Sequence, residues 1–220
     1  MQRDAWKIYE QDDLLDTQSL CLAKGLEYVM GHYDRVLPFS QYFADVGTDS
    51  QAPYTFIVPH LCPESQHPGC SGANISSGDA FLASVYNAFR SSPAWNDTLL
   101  VVTYDEHGGY WDSVMPYGIE VPAPEYDGPT DWIPSNNIPF DFKELGVRVP
   151  AILVSSYLDS RVDSSIYEHA SVPKTLANLF GTYGGPVNGY LTSRVYSAND
   201  FILNQNWRVT PREDVGQAPA

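Results

Sequence analysis

Five consecutive residues, Asp105-Glu106-His107-Gly108-Gly109, place two carboxylates and an imidazole before a flexible turn. They follow an apolar run, residues 98–104, which reads as a strand. Within a strand Asp105 and Glu106 point to opposite faces, and side by side they repel. Where the strand gives way to Gly108-Gly109 the chain can rotate both inward, and a shared cation relieves the repulsion. Carboxylate oxygens suit Mg, Mn or Ca, while a nearby imidazole admits Zn, Mn or Fe, so the metal's identity stays open. In open α/β sheets ligands bind beyond the carboxyl ends of strands, which makes this a site candidate by position as well as by chemistry. The plain alternative is a solvated, charged loop.

A second cluster is His60, Cys62, His67 and Cys70. It can be a structural zinc site, although the spacing matches no common zinc module. The preferred reading is a Cys62–Cys70 disulfide closing a nine-residue loop, worth about 2.5 kcal/mol in the chain-entropy treatment, which would stiffen the loop carrying His67. Free buried thiols are the third option. His67 and His107, in loops near strand ends, are the histidines placed to donate protons or contact phosphate. His32 reads as a helix-end dipole contact, His169 as a cap or core residue, and Asn87 and Arg90 as surface or packing residues. A hydrolase of this kind also needs an attacking water, Ser or Thr, but the chain has no Gly-x-Ser-x-Gly elbow and no phosphate-binding Gly-x-x-x-x-Gly-Lys-Ser/Thr loop.

The elements that must position these groups alternate. Leu22, Leu26, Val29, Met30 and Tyr33 predict a helix over residues 16–33, and residues 54–59 read as a short buried strand stopped by Pro59. A helix over 77–92 has Ser77 as its N-cap, an apolar face of Phe81, Leu82, Val85, Tyr86 and Phe89, and Pro93 past its end. The run 98–104 is aliphatic enough for a strand covered on both faces. Residues 112–145 form a long loop, 147–155 a second buried strand, and a last helix starts near Ser171, buries Leu176, Leu179 and Phe180, and stops at Gly181. From Gln205 onward the chain reads as a frayed tail. Helices alternating with buried strands predict an α/β domain with a mostly parallel sheet.

Composition narrows the partners. The 220 residues carry a net charge of −15, which argues against nucleic acid and anionic membrane surfaces. The hydrophobic share of 43% is enough for a core. No run is long enough for a transmembrane segment, and the first residues have no signal-peptide pattern. Asn74-Ile75-Ser76 and Asn96-Asp97-Thr98 fit the N-glycosylation pattern, of consequence only in a secreted protein.

Leu-Leu-Val-Val-Thr-Tyr-Asp-Glu-His-Gly-Gly, residues 99–109, resembles the signature of the phosphoesterase family that includes non-haemolytic phospholipase C and a group of acid phosphatases. Ala5-Trp6-Lys7-Ile8-Tyr9, Phe56-Ile57-Val58-Pro59, His67-Pro68, Asp79-Ala80-Phe81, Val85-Tyr86-Asn87-Ala88, Gly146-Val147-Arg148-Val149-Pro150-Ala151 and Tyr167-Glu168-His169-Ala170 agree in the same order. The resemblance implies an alkaline-phosphatase-like three-layer α/β/α sandwich. It implies that Asp105 and Glu106 bind one divalent metal, while His67 and His107 contact the phosphoryl group or protonate the leaving oxygen. The substrate would be a small phosphomonoester or a phospholipid head-group, and the family suggests a secreted or extracellular setting. It also implies an acidic-Asn metal motif and a Ser or Thr nucleophile upstream of the Trp6-Lys7 segment. Residues 1–204 are therefore expected to be the C-terminal part of a phosphoesterase domain, and 205–220 a tail. On that expectation the fold is incomplete, the enzyme truncated and inactive alone, and an N-terminal complementing segment its partner. The rival expectation is a non-catalytic binding or scaffold module that keeps the fold.

Overall fold

In the computed structural model, residues 6–11, 31–60, 62–67, 69–116, 118–122, 131–132, 139–140, 143–181, 188–203 and 205–218 are described. The helix expected over 16–33 lies almost wholly outside them; its last residue, Tyr33, opens a short 3-10 turn, Tyr33–Arg35. The chain divides into two compact units, one of Met1–Gly109, Ala151–Tyr157 and Val209–Ala220, the other of Tyr110–Pro150 and Leu158–Arg208.

The first unit is built on a parallel three-stranded sheet. Strand β1, Trp6–Glu10, lies between β2, Val36–Pro38, and β3, Tyr54–Val58, with Ile8 opposite both Val36 and Phe56. Both Ile8 and Tyr9 are buried, so the central strand is covered on its two faces, as parallel sheets require. Helix α1, Phe39–Asp45, follows β2 directly, and Tyr9, Phe39, Tyr42 and Val85 form the buried cluster. The Phe39 and Tyr42 rings stack, and Tyr9 meets Tyr42 edge-on at 5.6 Å, the offset geometries favoured by aromatic quadrupoles.

Helix α2, Ile75–Ser91, presents Val85 to this core with Phe81 and Ala88 packed beside it, while the buried Phe89 meets the Trp95 ring at 5.0 Å. Its N-cap is Asn74, not Ser77: the Asn74 side chain accepts the Ser77 N–H at 3.0 Å, satisfying a first-turn donor. Pro93 ends it as expected and opens a 3-10 turn, Pro93–Asn96.

Strand β4, Leu100–Thr103, pairs antiparallel with a later strand, Ala151–Val154, Leu100 lying opposite Val154. Parallel pairing thus holds for β1 to β3 but not here. Nor is this ladder covered on both faces. Residues 100–102 are half-buried, Thr103 is exposed and Ile152 is 52% exposed, because a two-stranded ribbon leaves apolar side chains uncovered that a wide sheet would enclose.

The expectation of a frayed C-terminus fails over residues 209–218. Tyr86 Oη donates to the Gly216 carbonyl at 2.8 Å, and Arg90 Nε to the Val215 carbonyl at 2.8 Å. The Asn87 amide reads Ala218 twice, donating to its carbonyl at 3.1 Å and accepting its N–H at 2.8 Å. Main-chain groups are the handholds, so no apolar pattern announces the docking.

In the second unit the long loop contains a two-stranded ribbon, β5 (Asp131–Trp132) with β6 (Pro139–Phe140); in chain order Ala151–Val154 of the first unit is β7. Helix α3, Ser171–Phe180, starts where expected and stops at Gly181, whose φ of 91° favours glycine. Leu179 and Phe180 are exposed, contrary to the apolar pattern. The buried stripe is Ser171, Thr175 and Ala177, with Thr175 Oγ1 donating to the Ser171 carbonyl at 2.7 Å and accepting the Phe201 N–H at 2.9 Å. Helix α4, Ser193–Ser197, is capped by Thr192 through the Val195 N–H.

Candidate active site

Both loops carrying candidate chemistry belong to the first unit. The turn after β4 is held by its own carboxylates: Asp105 Oδ1 accepts the Glu106 N–H at 3.0 Å, and Glu106 Oε2 accepts the Gly108 N–H at 2.8 Å. Gly108 and Gly109 adopt φ of 63° and 79°, a left-handed pair that reverses the chain. Asp105, Glu106 and His107 are exposed, so the carboxylates face solvent and their own backbone rather than turning inward.

The loop after β3 is closed covalently. Cys62 and Cys70 form a disulfide with Cα atoms 5.7 Å apart, which removes both thiolates from any zinc site. His60 Nδ1 meets Glu64 Oε2 at 2.7 Å. Gly72 lies against Pro63, where a Cβ would come within 2.8 Å of the ring, so the disulfide is reinforced by a close approach that only glycine permits. His67, between the cysteines, is exposed; its N–H donates to Ser65 Oγ at 3.2 Å and its carbonyl accepts the Cys70 N–H at 3.3 Å.

A hydrogen bond joins the two loops. Tyr104 Oη donates to Gln66 Oε1 at 2.7 Å. Gln66 immediately precedes His67, and Tyr104 immediately precedes Asp105, so the bond links the residues next to the two candidate groups. The Gln66 side chain in turn lies on α2 where Gly78 has no Cβ: a Cβ there would stand 2.6 Å from Gln66 Cγ. Gln66, Tyr104 and Gly78 thus tie the two loops and the start of α2 together. The sequence carries no periodic signal for Gln66 or Gly78; only their positions, next to His67 and in the first turn of α2, could have drawn notice.

Of the remaining candidates, His32 caps the 3-10 turn Tyr33–Arg35 and its ring lies 6.1 Å from that of Trp6. His169 is exposed in the second unit, and its carbonyl accepts the Val172 N–H at the start of α3. Asn87 and Arg90 hold the C-terminal segment, and the Arg90 guanidinium covers the Trp95 ring at 4.8 Å.

The donor set at the turn suits a hard cation, since each carboxylate uses one oxygen on a backbone N–H and has further lone pairs. Among the described residues no cluster of three or more His, Cys, Asp or Glu side chains is assembled for a metal. Asp105 and Glu106 therefore fit as part of a coordination sphere.

The Phosphoesterase family model matches residues 23–183. Non-specific phospholipase C6 of Arabidopsis thaliana is 39% identical over 171 residues, covering 74% of this chain and 31% of that protein. Non-specific phospholipase C3 of the same plant is 38% identical over 152 residues, 64% of this chain and 27% of that protein. Phospholipase C A of Mycobacterium tuberculosis is 29% identical over 147 residues, 63% of this chain and 27% of that protein. The chain thus spans under a third of the length of these relatives. The match over most of the chain, across both candidate loops, means that it belongs to the Phosphoesterase family.

Proposed function

We propose that this chain forms part of a metal-dependent site for hydrolysing phosphoester bonds, within a longer enzyme built on an alkaline-phosphatase-like α/β/α sandwich. The substrate class is a phosphomonoester or a phospholipid head-group, in keeping with the named activity of the relatives. The observation that carries this reading is the Tyr104–Gln66 hydrogen bond, which links the residue before Asp105 to the residue before His67. Asp105 and Glu106 hold the cation; when bound, it would polarise phosphoryl oxygens and offset charge developing in the transition state. His67 and His107, both exposed, contact the phosphoryl oxygens or deliver a proton to the leaving oxygen. The turn's N–H groups are bonded to Asp105 and Glu106, which leaves each carboxylate a second oxygen for the cation.

Thermal unfolding with Mn, Ca, Mg or Zn against EDTA tests the cation. At 100 times its dissociation constant a cation stabilises the chain by about 2.7 kcal/mol. At least one is expected to raise the Tm, and Asp105→Asn to remove the rise. No response to any of them, with a ligand still bound by Asp105→Ala, favours the non-catalytic binding module. Metal-dependent turnover of a chromogenic phosphomonoester by the chain alone, lost in Asp105→Asn, would show that no further segment is needed.

A further inference from the structure

The fold treats its two Asn-x-Ser/Thr sequences differently. Asn74 is engaged in local structure: its Oδ1 accepts the Ser77 N–H at 3.0 Å and its Nδ2 donates to the Gly72 carbonyl at 2.9 Å. A sugar on that nitrogen would have to share it with a bond that shapes the start of α2. Asn96 has no such duty. It ends the 3-10 turn Pro93–Asn96, is exposed, and makes no side-chain hydrogen bond among the described residues. The turn is held by its neighbours instead. Trp95 is buried, with its ring 5.0 Å from that of Phe89, and the Trp95 and Asp97 N–H groups donate to the Ser92 and Ala94 carbonyls. Asn96 also borders a surface cleft of about 250 Å³ that Pro211, Arg212 and Glu213 line from the C-terminal segment, so free volume lies beside it. Thr98, two residues on, stands in the irregular link that leads into β4.

We propose that Asn96 is an N-glycosylation site, with Asn96-Asp97-Thr98 as the acceptor for an oligosaccharide carried on a polyprenyl diphosphate. In the transfer, Nδ2 of Asn96 forms a bond to the anomeric carbon of the first sugar. The bond from that carbon to the diphosphate oxygen breaks, the lipid diphosphate leaves with the electron pair, and the amide gives up one proton. A second, independent observation points to the compartment in which such sequences are used. Cys62 and Cys70 are joined, and disulfides form and persist in oxidising surroundings such as the lumen of the endoplasmic reticulum. Because the sugar is added to a chain that has yet to fold, the structure's part is to tolerate it. At Asn96 the addition falls on an exposed turn anchored through Trp95, and no described hydrogen bond is lost. At Asn74 it falls on the N-cap of α2. The modification does not depend on the phosphoester reading.

The test is peptide mapping of the protein isolated from the cells that make it, after treatment with peptide N-glycosidase in heavy-oxygen water, which converts a glycosylated Asn to isotope-marked Asp. The peptide holding Asn96 is expected to carry the mark, and the peptide holding Asn74 to lack it. In the same cells, Asn96→Gln and Thr98→Ala should each abolish the gel-mobility shift that the glycosidase produces, while Thr98→Ser should retain it. The glycosidase-treated wild type and Asn96→Gln should unfold at the same Tm, since the Asn96 side chain holds nothing in place. Should the variants fail to fold, the wild-type peptide map decides. An unmarked Asn96 in the wild-type protein overturns the proposal, and so does a mark confined to Asn74.

Discussion

Within one compact unit, the two candidate loops rest on differently built supports. The His67 loop follows β3, whose neighbour β1 is anchored on a buried carboxylate: Asp45, 4% exposed, accepts hydrogen bonds from Lys7 Nζ at 2.7 Å, Tyr9 Oη at 2.6 Å and Gln41 Nε2 at 2.8 Å. The loop is then closed by a disulfide and a glycine contact. The acidic turn follows β4, half of a partly exposed ribbon, and is held by its own carboxylates on backbone N–H groups. One support is fixed by burial and a covalent bond. The other is held by short-range bonds at the surface, the low-stability end of a structure from which ligand-responsive segments are drawn. On the proposed reading, a histidine held at a defined spot suits the first, and carboxylates that wrap a cation suit the second.

The largest expected effect is on the fixed support. Asp45→Ala removes the acceptor shared by Lys7, Tyr9 and Gln41 and should cost about 3–5 kcal/mol in urea unfolding, the range for breaking one side of a buried ion pair. Burial acts to raise the Asp45 carboxyl, but hydrogen bonds from Lys7, Tyr9 and Gln41 together outweigh it, so the group sits below its ordinary value. A depressed folded value gives stability that is present above the ordinary carboxylate value of about 3.9 and lost as pH falls through the folded one. The wild-type urea midpoint should therefore drop on acidification below about pH 4 more steeply than that of Asp45→Asn. Parallel curves for the two proteins would mean that this anchor contributes no pH dependence. Next in size, Cys62→Ser with Cys70→Ser should cost about 2.5 kcal/mol. It should leave the cation-induced Tm shift in place, and loss of that shift with the disulfide would erase the distinction between the two supports.

How much of this was legible in the sequence follows from how each element is stabilised. Helix α2 and strand β4 announce themselves because their stability comes from apolar periodicity, visible in Phe81, Val85 and Phe89 and in Leu100 to Val102. The start of α3 at Ser171 and its stop at Gly181 follow from local backbone rules. Strand β1 carries no such signal. It is five residues long, and it buries Tyr9 and Glu10 beside Ile8 through partners 28 and 48 positions away in register. The docked C-terminal segment is equally silent, since Tyr86, Asn87 and Arg90 grip main-chain groups that every residue possesses. At the candidate site, Asp105, Glu106, His107 and His67 stand out by residue type, whereas Gln66 matters only through what it touches.

That contact is the smallest and most specific lever on the comparison, because Gln66 is where the two supports meet. Gly78→Ala puts a methyl 2.6 Å from Gln66 Cγ and 2.8 Å from Nε2. The helix gains up to about 1 kcal/mol from alanine, and the crowded side chain costs about 1–3 kcal/mol, so the net change in wild type should be a modest loss. In a Gln66→Ala background nothing is crowded and the same substitution should stabilise, which makes the sign reversal between backgrounds the readout. Tyr104→Phe removes the hydrogen bond to Gln66 without changing the ring and should cost about 1 kcal/mol. If Gln66 only fills space, Tyr104→Phe will not affect the pH dependence of the phosphoester turnover proposed for the longer enzyme. If the bond sets His67 against the acidic turn, Tyr104→Phe and Gln66→Ala will shift that profile alike, and Gln66→Glu, which keeps an acceptor for Tyr104 Oη, will restore most of the turnover lost in Gln66→Ala.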